Sequence, residues 1–164
     1  MTRATRSLGI LALIAVALVA TVLWQGRRAY VANPRALTGL VPETVTHIGL
    51  DIPPLAPQTF EKRHGGWWRA QPSNARADDA RVQRLANLAA TPVARWIPAA
   101  AIAPAKVGLA HPSATLTLDG TRLEYGGFTA LDDLRYVRVG DKVALVPRQY
   151  SPEVMLTKGA TEEK

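Results

Sequence analysis

The chain has 164 residues, with 20 Lys and Arg against 13 Asp and Glu, a formal net charge of +7, and no cysteine. The missing cysteine excludes a disulfide framework, a zinc–cysteine site and a thiol nucleophile. The basic excess does not signal nucleic acid: five arginines and no acid fall in residues 1–35, leaving 15 basic against 13 acidic side chains beyond them, and no element carries a basic stripe interleaved with aromatics.

Residues 8–24, LGILALIAVALVATVLW, hold no charged side chain, and only Thr21 carries a hydroxyl. As a helix rising ~1.5 Å per residue they would run roughly 25 Å, near the short end of what crosses a hydrocarbon core. The alternative is a cleaved signal peptide. Its nearest small-x-small site, Ala15-Val16-Ala17, would leave the apolar run 21–24 on the new N-terminus, and Gln25, Gly26, Arg27 and Arg28 are poor cleavage context. The stretch therefore reads as an uncleaved single-pass anchor, with residues 1–7 a short basic N-terminus and 25–43 a juxtamembrane linker. Arg3, Arg6, Arg27 and Arg28 flank the span, where they suit anionic headgroups at ~1 kcal/mol each. Trp24 and Tyr30 fall where aromatic rings prefer the membrane interface. The flanking charges nearly balance, but a long C-terminal domain translocates largely regardless of charge. The expected topology is N-terminus inside, domain outside.

The linker contains Asn33-Pro34, Gly39 and Pro42, which break helical continuation. Residues 44–52, TVTHIGLDI, alternate as a strand with Thr44, Thr46, Ile48, Leu50 and Ile52 on its mostly apolar face. Residues 58–63 and 67–71 flank His64-Gly65-Gly66 as a hairpin, with Phe60, Trp68 and Ala70 sharing the buried side. Adjacent Trp67 and Trp68 must point to opposite faces, so one is the more exposed. After a turn at residues 71–74, Asp78 or Asp79 caps a helix reaching about Ala90, with Val82, Leu85, Ala86, Leu88 and Ala89 as its buried stripe. Residues 93–97 read as a short strand. Residues 113–118 and 121–125 form a hairpin across Asp119-Gly120, with Leu116 opposite Leu123 and Ala114 opposite Tyr125. A second hairpin joins residues 134–139 to 143–146, and a three-residue loop that aligns Val139 with Val143 gives it the better apolar face. Ser151-Pro152-Glu153 start a short terminal helix, and residues 159–164 form a flexible tail. The fold class is α+β: a transmembrane helix, then a small, mainly antiparallel sheet domain over residues 44–158 with one principal packed helix.

No constellation for chemistry is legible. His47, His64 and His111 fall in a strand, a hairpin tip and a loop, none with a second ligand at metal-binding helical spacing. No Ser sits in a nucleophile elbow, and Gly126-Gly127 lacks the rest of a phosphate loop. Asp132, Asp133 and Asp141 are turn residues, and Asp78-Asp79 a helix start. No catalytic residue, metal or cofactor is assigned. The candidate interaction surface is Trp67, Trp68, His64 and His111, the exposed tryptophan being the natural contact for a sugar or a partner.

The order of the pieces resembles the bacterial family called domain of unknown function 4340. The matching run is Val45-Thr46-His47-Ile48-Gly49-Leu50, then residues 60–68 (FEKRHGGWW) to Pro72, and the helix led by Asp78. It continues through Val107-Gly108-Leu109-Ala110-His111-Pro112, Leu118-Asp119-Gly120 and Tyr136-Val137. The resemblance implies an N-terminal membrane helix, an extracytoplasmic α+β region in the bacterial inner membrane, and an accessory role, some members being encoded beside ABC transporter components. Longer members repeat a unit of which this chain has room for one. The expected function is a non-enzymatic membrane protein presenting an envelope interaction domain to a protein partner, such as a transporter or assembly complex. The alternative is a periplasmic hydrolase or a small-ligand or glycan-binding domain, which a pocket joining His64, His111 and the Asp132 turn would favour.

Overall fold

The computed structural model describes residues 36–153. The anchor expected at residues 8–24, its flanking Arg3, Arg6, Trp24, Arg27, Arg28 and Tyr30, the expected tail, and most of the expected terminal helix lie outside them; Pro152 and Glu153 are helical. Among the described residues no helix is long and apolar enough to cross a membrane. They form nine strands and one α-helix: β1 (His47–Asp51), β2 (Gln58–Arg63), β3 (Gly66–Gln71), β4 (Ala75–Arg76), α1 (Asp79–Asn87), β5 (Arg95–Pro98), β6 (Ala114–Leu118), β7 (Thr121–Phe128), β8 (Leu134–Val139) and β9 (Lys142–Pro147). The strands make a single sheet in the order β4-β3-β2-β1-β6-β7-β8-β9-β5, every neighbouring pair antiparallel. The mainly antiparallel sheet with one helix is the architecture that the alternating patterns imply.

The β6–β7 hairpin forms in the expected register. Leu116 pairs with Leu123 and Ala114 with Tyr125, and Asp119 and Gly120 take φ of 42° and 85°, the positive pair a two-residue turn demands. Asp119 also ties this turn to β1: its carboxylate accepts from the backbone N–H of His47 at 2.8 Å and of Thr46 at 3.1 Å. Asp119→Ala removes that cap from two otherwise unpaired donors. It should cost about 1–2 kcal/mol, read as an earlier urea midpoint of the sheet domain with an unchanged slope.

Three local expectations are corrected. Pro42–Thr44 is a 3-10 turn, so β1 begins only at His47, and Val45 rather than Thr44 or Thr46 is buried before it. In β2–β3, Lys62 pairs with Trp67 and Phe60 with Arg69, so Trp67, not Trp68, shares the buried face with Phe60. Trp67 is 2% exposed. In β8–β9 the loop has two residues: Val139 pairs with Lys142 and Val137 with Ala144, with Gly140 at φ 58°. The apolar-face argument misjudged that register because Val143, Ala144, Leu145 and Val146 are all buried. A strand covered on both sides offers no polar face to count against.

The main core lies between one face of the sheet and α1 with the 3-10 turn Leu88–Ala90 that extends it. Ile48, Leu50, Phe60, Trp67, Leu116, Leu123, Tyr125 and Val137 meet Val82, Leu85, Ala86, Leu88 and Ala89 there. Asp78 is the helix N-cap, its side chain accepting from Arg81 N–H at 3.1 Å. Val143 and Leu109, on the other face, are covered with Ala99, Ile102 and Pro104 from the Ala/Pro-rich stretch.

Candidate functional site

The edge of the sheet beside α1 is finished by side chains. β4 pairs with only Trp68 and Arg69 of β3, so the main chain of Trp67 needs other partners. Its N–H donates to Asp79 Oδ1 at 2.6 Å, and its carbonyl accepts from Arg76 Nη1 at 3.0 Å and from Ala77 N–H at 3.0 Å. Arg76 Nη2 and Asp79 Oδ2 are 2.5 Å apart. A Cβ at residue 66 would fall 1.9 Å from Arg76 Nη1, so a larger residue there would displace that guanidinium from Trp67 and Asp79. Asp79 is therefore a clamp between helix and sheet, whereas its neighbour Asp78 is the cap.

Arg76, which Asp79 holds in place, lines one wall of a cleft of about 310 Å³ between β2, β3, β4 and α1. Its floor is apolar: Phe60, Ala77, Val82 and Leu85. Its rim carries three guanidinium groups, Arg69, Arg76 and Arg81, with Asp78, Gln58 and Leu55. Arg69 is steadied by Ser73, donating from Nε to the carbonyl at 3.3 Å and from Nη2 to Oγ at 3.1 Å. Arg76 is held by Trp67 and Asp79, and its guanidinium carbon stands 5.8 Å from the centre of the Trp68 ring. Among the described residues the Arg81 guanidinium has no ion pair. Such a cleft suits a partner that is anionic at one end and apolar at the other.

The four residues chosen from the sequence do not converge. His64 occupies the exposed β2–β3 turn. His111 is exposed ahead of β6, at the opposite end of the strands, because Arg63 lies beyond the His47 end of β1 whereas Ala114 lies beyond its Asp51 end. A five-residue strand separates these ends by roughly 17 Å. Trp67 is sealed in the core, and Trp68 is half-buried under Arg76. Asp132 and Asp133 line a shallow depression with Pro147, Arg148 and Gln149, without a histidine. Among the described residues no three His, Asp or Glu gather as metal ligands. The cleft arginines were missed by pattern reading; the one available signal was Arg69 on the inward face of β3.

A second polar group is structural. Arg135, 3% exposed, donates from Nε to Gly126 carbonyl at 3.1 Å, from Nη2 to Ser113 Oγ, and from Nη1 to Glu153 Oε2 at 2.7 Å. Its guanidinium faces the Tyr125 and Phe128 rings at 5.2 and 5.1 Å. Burial pushes the Tyr125 hydroxyl well above the usual phenol value, although the Arg135 charge opposes it. Burial also works against ionisation of Glu153, but the hydrogen bonds and charge of Arg135 outweigh it and hold the carboxyl below the usual glutamate value.

No family model, characterised protein or solved structure matches the chain.

Proposed function

We propose that the chain is a membrane-tethered binding module, non-enzymatic, whose sheet domain takes an acidic, apolar-flanked segment of an envelope protein into the arginine-rimmed cleft. The observation that carries this reading is the cleft itself: an apolar floor under Arg69, Arg76 and Arg81. Nothing in its lining is a nucleophile paired with a base, so it offers recognition without chemistry of its own. The apolar run at residues 8–24 supports the tether, N-terminus cytoplasmic and domain periplasmic in a bacterial inner membrane. The shared order of motifs with the domain of unknown function 4340 family supports an accessory place beside a transporter or assembly complex. The second reading is a small-ligand domain at the same cleft, favoured by a volume within the range that holds small molecules.

The test is a photoreactive residue at Leu55, which is 59% exposed on the cleft rim, irradiated in intact cells expressing the full chain. The expected product is a discrete adduct to an envelope protein. It should fall about tenfold or more when Arg81 and Arg69 are reversed to Glu, since a charge-assisted hydrogen bond is worth about 1.5–3 kcal/mol. An adduct of small-molecule mass moves the site to the second reading. Adducts indifferent to both reversals remove the cleft from the function.

A further inference from the structure

The large hydrophobic side chains that stand exposed among the described residues are Leu55 at 59%, Phe128 at 43% and Leu131 at 94%. They sit in different loops but at one end of the sheet. Leu55 follows the Asp51 end of β1, which lies opposite Thr115 near the start of β6. Phe128 ends β7 and Leu131 lies in the loop to β8, where Phe128 pairs with Arg135 and Leu134 with Pro147. The same end receives the chain from its N-terminal segment: Ala36 bridges to Pro92, Leu37 N–H donates to Thr91 carbonyl at 2.8 Å, and Ala94 N–H to Leu145 carbonyl at 2.9 Å. Pro92 therefore lies toward the Pro147 end of β9. The other end, with the turns at His64, Asp119 and Gly140, exposes no large apolar side chain among the described residues.

Eleven residues separate Trp24 from Ala36, a span of at most about 40 Å fully extended. On the reading of residues 8–24 as a membrane anchor, which this inference requires, the tether holds the apolar end within reach of the bilayer. We propose that this end is a lipid-contacting face, with Leu131 and Phe128 seated at the boundary between headgroups and acyl chains. Moving the exposed leucine at this loop tip from water to an apolar phase is favourable and orients a domain that is already tethered. The charges around it are balanced rather than basic. Arg148 packs over the Phe128 ring at 4.7 Å and pairs with Asp133 at 3.2 Å, Arg135 is engaged by Glu153, and Asp132 adjoins Leu131. The contact is accordingly apolar and takes zwitterionic lipid.

The chain has no native cysteine, so Leu131→Cys gives a single site for an environment-sensitive fluorophore, with Asp141→Cys as the label at the other end. The full-length variants are reconstituted in phosphatidylcholine vesicles and washed with alkaline carbonate. The expected result is retention of the chain, with blue-shifted emission at position 131 that loses intensity when spin-labelled lipid is added, and water-like emission at position 141. Retention with water-like emission at both positions overturns the lipid face and leaves the tether standing. Release of the chain by carbonate overturns the tether and the lipid face together. Emission at 131 that shifts only after envelope proteins are added assigns the patch to a protein surface and overturns the proposal.

Discussion

Trp67→Ala should cost the sheet domain about 3–5 kcal/mol, and Trp68→Ala about 1 kcal/mol. The two side chains are neighbours with the same composition, so the difference lies in where the strand points them. Trp67 is 2% exposed, packs in the core with Phe60 and α1, and has Lys62 Nζ 5.6 Å from its ring centre. Its removal leaves a cavity as well as losing transfer energy, the combination that makes aromatic truncation expensive. Trp68 faces the other side of the sheet, half-buried, with Arg76 at cation–π distance as its main specific contact. A domain of this size holds about 5–15 kcal/mol in all, so Trp67→Ala should bring it close to unfolding at 37 °C. Urea denaturation followed by circular dichroism checks this; equal midpoints for the two variants would refute the assignment of faces.

The same pair shows why part of the fold was legible and part was not. In β6–β7, turn chemistry and alternation agree: Asp119-Gly120 fixes the loop and Leu116, Leu123, Ala114 and Tyr125 fall on one face, so a one-residue slip would bury Thr117 and Arg122 instead. In β2–β3 the two tryptophans make either phase equally apolar. The phase is decided by the Lys62–Trp67 pairing and by Asp79, which reaches Trp67 N–H from twelve residues away. For β8–β9 the signal is missing because both faces of β9 are covered, one of them by the Ala/Pro-rich turns, a stretch with no periodicity to read.

The helix read well because α1 is amphipathic and capped by Asp78. The cleft beside it did not, because Arg69, Arg76 and Arg81 belong to β3, β4 and α1. No spacing rule links them, and only the corner where those elements meet brings the guanidinium groups to one rim. An arginine on the inward face of a strand conflicts with the burial pattern, and such local conflicts tend to mark function.

The second large effect is expected at Arg135. Arg135→Ala should cost about 2–3 kcal/mol: less than the loss of a fully buried pair, because Glu153 is 35% exposed and water can rehydrate it. The loss comes from Gly126 carbonyl and Ser113 left without their donor, and from a gap between the Tyr125 and Phe128 rings. Glu153→Gln separates charge from shape. It should cost about 1 kcal/mol near neutral pH, since an amide oxygen still accepts from Arg135 but no longer neutralises it. The two variants should also differ from the parent in acid. A carboxylate whose native pKa lies below its unfolded one binds fewer protons when folded. The stability that Glu153 contributes is thus complete above the ordinary glutamate value and disappears as pH falls through its lowered native value. Between neutral pH and that acid range the parent should lose its margin over Glu153→Gln, so the two denaturation midpoints converge on acidification. A constant gap down through the carboxylate range would mean that Arg135 holds this end of the sheet by packing alone, and that its charge has no partner in Glu153.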